Sequence, residues 1–334
     1  MAKAAYIKKL FRSVQNEDWE TYNQVAQLII DEERKKSHFQ LANDLQSIID
    51  SSKIYKKADS NFQQHYMHLL PKDKDSNFQL IDIKKTNVQL DTLVLSQNIS
   101  ESLKDLLEEY EKGELLGAYG FRVRNRYLFC GPPGCGKTVT AEAIAQELDL
   151  PLLYTRFDSI VSSYLGETAS NLRKIFDFVS KGNWLLFFDE FDAIAKKRDN
   201  SDEHGELKRV VNTFLQLLDN YDGNSIIIAA TNHQQLLDPA IWRRFDEILL
   251  FEKPDLGQIQ ALLAKVLKRF PKEDIDIKHL SKSLVGFTHA DIERICETTI
   301  KKVIIDNKKA IGMQDIEIQI DLYKKRDKIY NDLI

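Results

Sequence analysis

The chain has 334 residues, 43% hydrophobic and 29% charged, with a formal net charge of −4 at pH 7. That length accommodates about two or three domains, and the composition is that of a globular chain rather than a disordered one. The slight acidity supplies no general attraction to nucleic acid or to an anionic membrane.

Residues 4–50 read as amphipathic helices. Ile7, Leu10, Phe11 and Val14 fall at helical spacing, as do Trp19, Tyr22, Val25 or Ala26, and Ile29. Ser37-His38-Phe39-Gln40 has the form of a capping box ahead of Leu41, Leu45, Ile48 and Ile49. A small N-terminal helical domain over 1–60 is expected, its aromatic residues filling a core and its position suiting a partner-binding adaptor. A polar linker over 61–90 follows, rich in Lys, Asp and Ser. His65 and His68 lie three apart, but no cysteine or acidic cluster completes a metal site, so they read as surface histidines. Short strands are expected at 78–83 and 93–95, then a helix over 98–112.

Beyond this the pattern alternates. Apolar runs at 127–130, 152–157, 184–188, 226–230 and 247–251 are separated by helical segments. Short buried runs between helices predict a parallel sheet covered on both faces, joined by right-handed crossovers. The large α/β domain is expected over 91–253. From 254 to 334 the strands stop, and helices near 255–269, 276–284, 289–306 and 313–328 predict a small helical domain.

The first run leads into Gly131-Pro132-Pro133-Gly134-Cys135-Gly136-Lys137-Thr138, which opens a helical pattern through Ala141, Ile144, Ala145 and Leu148, with Gly131 and Pro133 to Val139 as candidate nucleotide-binding residues. Strand, glycine loop and helix N-terminus in this order aim backbone N–H groups at one point, which suits a phosphate. Glycine lets the main chain approach phosphate oxygens closely. Lys137 can reach the β- and γ-phosphates, and the Thr138 hydroxyl can hold Mg²⁺. The run Trp184–Phe188 ends in Asp189-Glu190. A carboxylate at a strand's C-terminal edge can order the Mg²⁺ shell, the role assigned to Asp189, and Glu190 can activate the attacking water. The next strand ends in Thr231-Asn232, whose amide can bond that water or the γ-phosphate. Arg243 and Arg244 offer planar, always-charged guanidinium groups for transition-state charge, or else form a surface pair with Asp246 or Glu247. Their distance from the loop along the chain suits action on a neighbouring subunit's nucleotide.

These motifs, in this order, resemble the AAA family within the AAA+ ATPases over about residues 95–305. The resemblance implies an α/β P-loop NTPase module, a parallel sheet flanked by helices, with a small C-terminal helical domain. It identifies Gly131–Thr138 as Walker A, Asp189-Glu190 as Walker B, Asn232 as sensor 1, and Arg243 and Arg244 as arginine fingers. The compact Ala240-Ile241-Trp242-Arg243-Arg244-Phe245 form is similar to that of the microtubule-severing and ESCRT-disassembly members. Gly286–Ile292 resembles the family's small-domain signature, with Ala290 at the sensor-2 position and His289 where glycine is usual. Tyr164-Leu165-Gly166 matches pore loop 1, which grips polypeptide in the channel of a hexamer.

The resemblance therefore implies ATP as substrate, Mg²⁺ as cofactor, self-assembly into a hexamer, and protein remodelling as the activity. Two further classes stay open. One is a nucleic-acid ATPase akin to replication initiators or clamp loaders, disfavoured by the charge. The other is a nucleotide-switched regulator of a separately encoded effector such as a protease, docked through the N-terminal domain. No HExxH occurs, so proteolysis by the chain itself is unsupported. No apolar run reaches the ~18 residues that cross a bilayer, and the N-terminus lacks the apolar core of a signal peptide. The three cysteines, Cys130, Cys135 and Cys296, form no CxxC pair. A reducing, cytoplasmic location is expected.

Overall fold

The computed structural model describes residues 6, 9, 25–30, 32, 34, 36, 70–73, 78–156, 165–192, 204–237 and 239–332. The chain divides into two compact units, Met1–Leu70 and Pro71–Ile334. In the first, residues 25–30 are helical, with Val25, Ala26 and Ile30 buried. Ile30 rather than the expected Ile29 faces inward there, four residues from Ala26. The other residues expected in this helical region, including Trp19, Tyr22 and the 37–40 capping box, lie outside the described residues, as do His65 and His68.

The second unit is built on a six-stranded sheet. Its strands are β1 (Asp82–Lys84), β2 (Arg126–Cys130), β3 (Leu152–Arg156), β4 (Leu185–Asp189), β5 (Ile226–Thr231) and β6 (Glu247–Leu250). The spatial order is β1-β3-β4-β5-β2-β6. Strands β2 to β6 run parallel, and β1 alone is antiparallel, pairing Asp82 with Tyr154 and Lys84 with Leu152. The strand that feeds the glycine loop is thus central, held between β5 and β6.

Because side chains alternate across a sheet, each central strand needs apolar residues at every position. Strand β5 reads Ile-Ile-Ile-Ala-Ala-Thr and is buried throughout. Ile226, Ile228 and Ala230 face one layer with Tyr127, Phe129 and Phe187. Two helices cover that layer, α1 (Gln97–Glu111) through Ile99, Leu103 and Leu106, and α3 (Lys137–Glu147) through Ala141, Ile144 and Ala145. Between α1 and β2 lies the short α2 (Gly113–Ala118). The opposite layer is aromatic. Phe188 meets Phe176 of α4 (Leu165–Val179) and Phe214 of α5 (His204–Asp219), the Phe214 ring standing edge-on at 5.3 Å. A sheet covered on both faces is the expected α/β architecture.

Two details differ from expectation. Residues 93–95 form no strand. A 3-10 turn at Leu90–Thr92 leads into an extended stretch whose apolar side chains divide between two cores. Leu90 and Leu95 pack on the sheet layer, while Val94 packs among the C-terminal helices. Within the stretch expected as linker, Lys72 bridges Gln79, Leu80 and Ile81 are buried, and β1 joins the sheet.

After the short α6 (Pro239–Trp242) and β6, four helices form a second core: α7 (Leu256–Leu267), α8 (Ile277–Ser283), α9 (His289–Ile305) and α10 (Met313–Asp332). Leu262, Leu263, Leu280, Ile292, Ile295, Ile316 and Ile320 meet there. Asp255 with Gln258 and Thr288 with Asp291 close capping boxes at the starts of α7 and α9. Each satisfies two amides that the helix cannot. No described helix is long and apolar enough to cross a membrane. All three cysteines are free and buried, and burial pushes the Cys130 and Cys296 thiols up to about 12.

Candidate nucleotide site

The C-terminal ends of the parallel strands converge on the glycine loop, the place where this sheet architecture binds ligands. The loop turns sharply at Gly131, with φ 142°, and hydrogen bonds seal it to the strands on either side. The Gly131 amide donates to the Thr231 carbonyl at 3.2 Å, and the Phe251 amide to the Cys130 carbonyl at 2.7 Å. A Cβ at Gly131 would sit 1.9 Å from the Phe251 carbonyl oxygen, so only glycine fits. Gly134, at φ 75°, meets the helical part. Its carbonyl accepts from the Ala290 amide at 3.0 Å, and a Cβ there would lie 2.8 Å from Thr288 Oγ1.

A cleft of about 430 Å³ opens beside the loop. Pro133, Gly134, Cys135, Gly136, Lys137, Thr138 and Val139 line one end, joined by Asp189 and Asn232. Val88, Leu93, Val94, Leu95 and Leu262 form an apolar slot, with His289 and Ala290 at the first turn of α9. Polar loop and apolar slot match a phosphate chain and a planar base respectively.

Lys137 begins α3 and is buried, its Nζ donating to the Gly131 and Pro132 carbonyls at 2.7 and 2.9 Å. Burial lowers its pKa, while nearby Cys135 and Asp189 oppose the shift. Asp189 ends β4 in the neighbourhood of Thr138, whose Oγ1 stands 3.5 Å from Asp189 Oδ2. Two hard oxygen donors in this position suit a cation that keeps most of its shell as water and phosphate. Asp189 Oδ1 accepts from the Glu190 amide at 2.9 Å. Glu190 is exposed and takes a left-handed conformation, φ 53°, uncommon for a residue with a Cβ and frequent at active sites.

Asn232 reaches the cleft because Asp192 holds its backbone. Asp192 Oδ1 accepts from the Asn232 amide and from Thr231 Oγ1, both at 3.2 Å. At the far end, both ring nitrogens of His289 are buried and meet no partner at full hydrogen-bond geometry among the described residues, although the Val94 backbone lies beside the ring. Burial lowers the His289 pKa, and the adjacent Val94 backbone offsets this only in part. An imidazole kept neutral has one donor and one acceptor to offer. Such under-satisfied polar atoms in a cleft suit a polar ligand.

Arg243 and Arg244 are not in the cleft lining. Arg243 is exposed, while Arg244 donates to Asp219 Oδ2 at 3.3 Å and the Ala240 carbonyl at 3.2 Å. Asp246 and Glu247, the partners considered from sequence, instead receive the Asn125 and Arg126 amides and Arg124. Tyr164 lies outside the described residues. Leu165 and Gly166 open α4, their side chains outside the described set. Sequence reasoning passed over Asp192 and Tyr154, which bond Thr231 and Asp189 across strands, and the 88–95 stretch. The acidic repeat in Asp189-Glu190-Phe191-Asp192 was the one visible signal.

The sequence pattern of the AAA family, described as ATPase family associated with various cellular activities, matches residues 127–253. An uncharacterized AAA family ATPase of Sinorhizobium fredii, y4kL, is 39% identical over 315 residues, covering 94% of this chain and 93% of that protein. The chain belongs to the AAA family of ATPases. A putative cell division cycle ATPase of Plasmodium falciparum is 30% identical over 72% of this AAA chain, which spans 20% of that protein. FtsH 3 of Symbiobacterium thermophilum, named an ATP-dependent zinc metalloprotease, is 32% identical over 74% of the chain and 41% of its own length. Among the described residues, no group of three or more His, Cys, Asp or Glu side chains could hold a metal ion.

Proposed function

We propose that this AAA chain hydrolyses ATP between identical subunits of a ring and uses the energy to remodel a polypeptide. The observation that carries the reading is the convergence of Lys137, Thr138, Asp189 and Asn232 on one cleft. Loop amides and Lys137 bind the phosphate chain and offset its charge. Thr138 and Asp189 would hold Mg²⁺, which would supply electrostatic stabilisation of charge developing on the phosphate oxygens. Glu190, next to Asp189 on an exposed turn, orients and deprotonates the attacking water. Asn232 bonds that water or the terminal phosphate. The apolar slot, closed by Leu262, Ala290 and His289, takes the base.

Arg243 and Arg244 belong to a neighbour's site on this reading. Their placement outside the chain's own cleft supports it. Polypeptide as the substrate class draws support from the likeness to proteins named as ATP-dependent proteases. Tyr164, Leu165 and Gly166 would carry the grip on substrate, in a cytoplasmic ring.

The test is Glu190→Gln. This change keeps size and removes the base, so ATP should bind normally while turnover falls by about 10²-fold or more. Retention of ATP and a stabilised oligomer, measured by filtration and light scattering, is the expected result. Turnover at the wild-type rate would refute the catalytic assignment.

A further inference from the structure

Asp189 has a hydrogen-bond partner that nucleotide chemistry does not require. Tyr154 Oη donates to Asp189 Oδ2 at 2.6 Å, the same oxygen that faces Thr138. The contact follows from sheet geometry. In the parallel β3–β4 pair, Tyr154 stands opposite Phe187 and Arg156 opposite Asp189. Side chains two apart share a face and lie about 7 Å apart along a strand, a span a tyrosine can cover. Its ring packs on Phe187, with centroids 5.7 Å apart, and joins the core layer beneath α3. Phenylalanine would serve that packing equally well, so the hydroxyl is the part that needs an explanation.

The ring has a second neighbour. Lys84, on the antiparallel edge strand β1, places Nζ 3.5 Å from the Tyr154 centroid. That position suits a cation–π contact. Tyr154 on Oδ2 and the Glu190 amide on Oδ1 leave the carboxylate little freedom to rotate. About four lone-pair directions exist on a carboxylate, so these two bonds still leave room for water molecules of a metal shell.

We propose that Tyr154 is a positioning residue of the nucleotide site: its hydroxyl holds Asp189 toward Thr138, and Lys84 steadies its ring. The proposal rests on the functional reading above, in which Thr138 and Asp189 hold Mg²⁺. Outer partners of metal-binding carboxylates set their orientation and thereby the affinity for the ion.

The experiment compares the full chain with Tyr154→Phe and Lys84→Met. Three readouts are needed: Mg²⁺ titration of ATP turnover, binding of a fluorescent ATP analogue in EDTA, and thermal unfolding. For Tyr154→Phe the Mg²⁺ concentration giving half-maximal turnover should rise about tenfold, with EDTA binding and unfolding temperature unchanged. Lys84→Met should move the Mg²⁺ midpoint in the same direction by less. Mg²⁺ curves of Tyr154→Phe that superimpose on wild type would overturn the proposal, leaving Tyr154 as core filling. Equal losses in EDTA binding and in Mg²⁺-dependent turnover would overturn it too, as damage to the whole pocket. Wild-type protein without Mg²⁺-stimulated turnover would instead sink the functional reading on which the proposal stands.

Discussion

His289 sits at the first turn of α9 with both ring nitrogens buried and without a full hydrogen bond among the described residues, facing a cleft also lined by Lys265 and Glu293. Its pKa is lowered from 6.5 by burial. In the unfolded chain the imidazole takes up a proton as pH falls through about 6.5, while in the folded chain it resists. Stability is therefore lost as pH drops from about 6.5 toward the lower folded value, and nothing is lost above 6.5 where both states are neutral. His289→Gln removes this proton uptake. Denaturant midpoints at pH about 7.5 and about 5.5 should fall less for the variant than for wild type. Equal drops would mean that the ring is solvated in the folded state. Asp192 ties the strand end bearing Asn232 to the turn after Asp189. Removing a buried acceptor of this kind strands a hydroxyl and an amide, at about 1–3 kcal/mol for each.

At the scale of elements, the sheet is held by unlike layers. On one side α1 and α3 contribute aliphatic and small residues, and Ala141 and Ala145 are buried against the sheet layer, so α3 can lie close to the strands. That closeness brings Lys137 and Thr138 to the strand ends. The α4/α5 side relies on large rings, with Phe214 touching Phe176, Phe188 and Phe191. Phe214→Ala should cost about 3–5 kcal/mol, since rings this large leave a cavity that neighbours cannot fill. Chemical denaturation checks it, and a cost under about 1 kcal/mol would show that the layer can collapse. Much of this element scale was legible in sequence. Five apolar runs gave five parallel strands because buried strands need apolar residues on both faces. The edge strand β1 and the 88–95 stretch were harder. Short apolar runs look alike whether they pair with a strand or fill a gap between two cores.

At the scale of the whole molecule, Arg243 and Arg244 make the sharpest case. If they complete a neighbour's site, two inactive variants should repair each other. Lys137→Ala loses its own nucleotide but keeps its arginines, whereas Arg243→Ala with Arg244→Ala keeps nucleotide and lacks the fingers. Mixing the two should restore a fraction of wild-type ATP turnover, on the order of a tenth or more when a quarter or so of the junctions are competent. A mixture as inactive as its parts would place the arginines in cis or in a structural role. Arg244 already has a structural partner in Asp219, so Arg243 is expected to carry the larger share.

The order of motifs along the chain was enough to identify a phosphate-binding P-loop module of the AAA family, because glycine loops and strand-end carboxylates depend on local geometry. Pro133–Val139, Asp189 and Asn232, which line the cleft, could be picked out from their place relative to a strand. Tyr154, Asp192 and the buried ring of His289 could not. Their partners are Asp189, Thr231 and the cleft itself, each brought near by strand pairing or by packing of helix on loop. Sequence spacing carries no record of such contacts. The tertiary structure turned the glycine loop into one wall of a cleft, whose strand-end carboxylate, Asp189, is held from an adjacent strand.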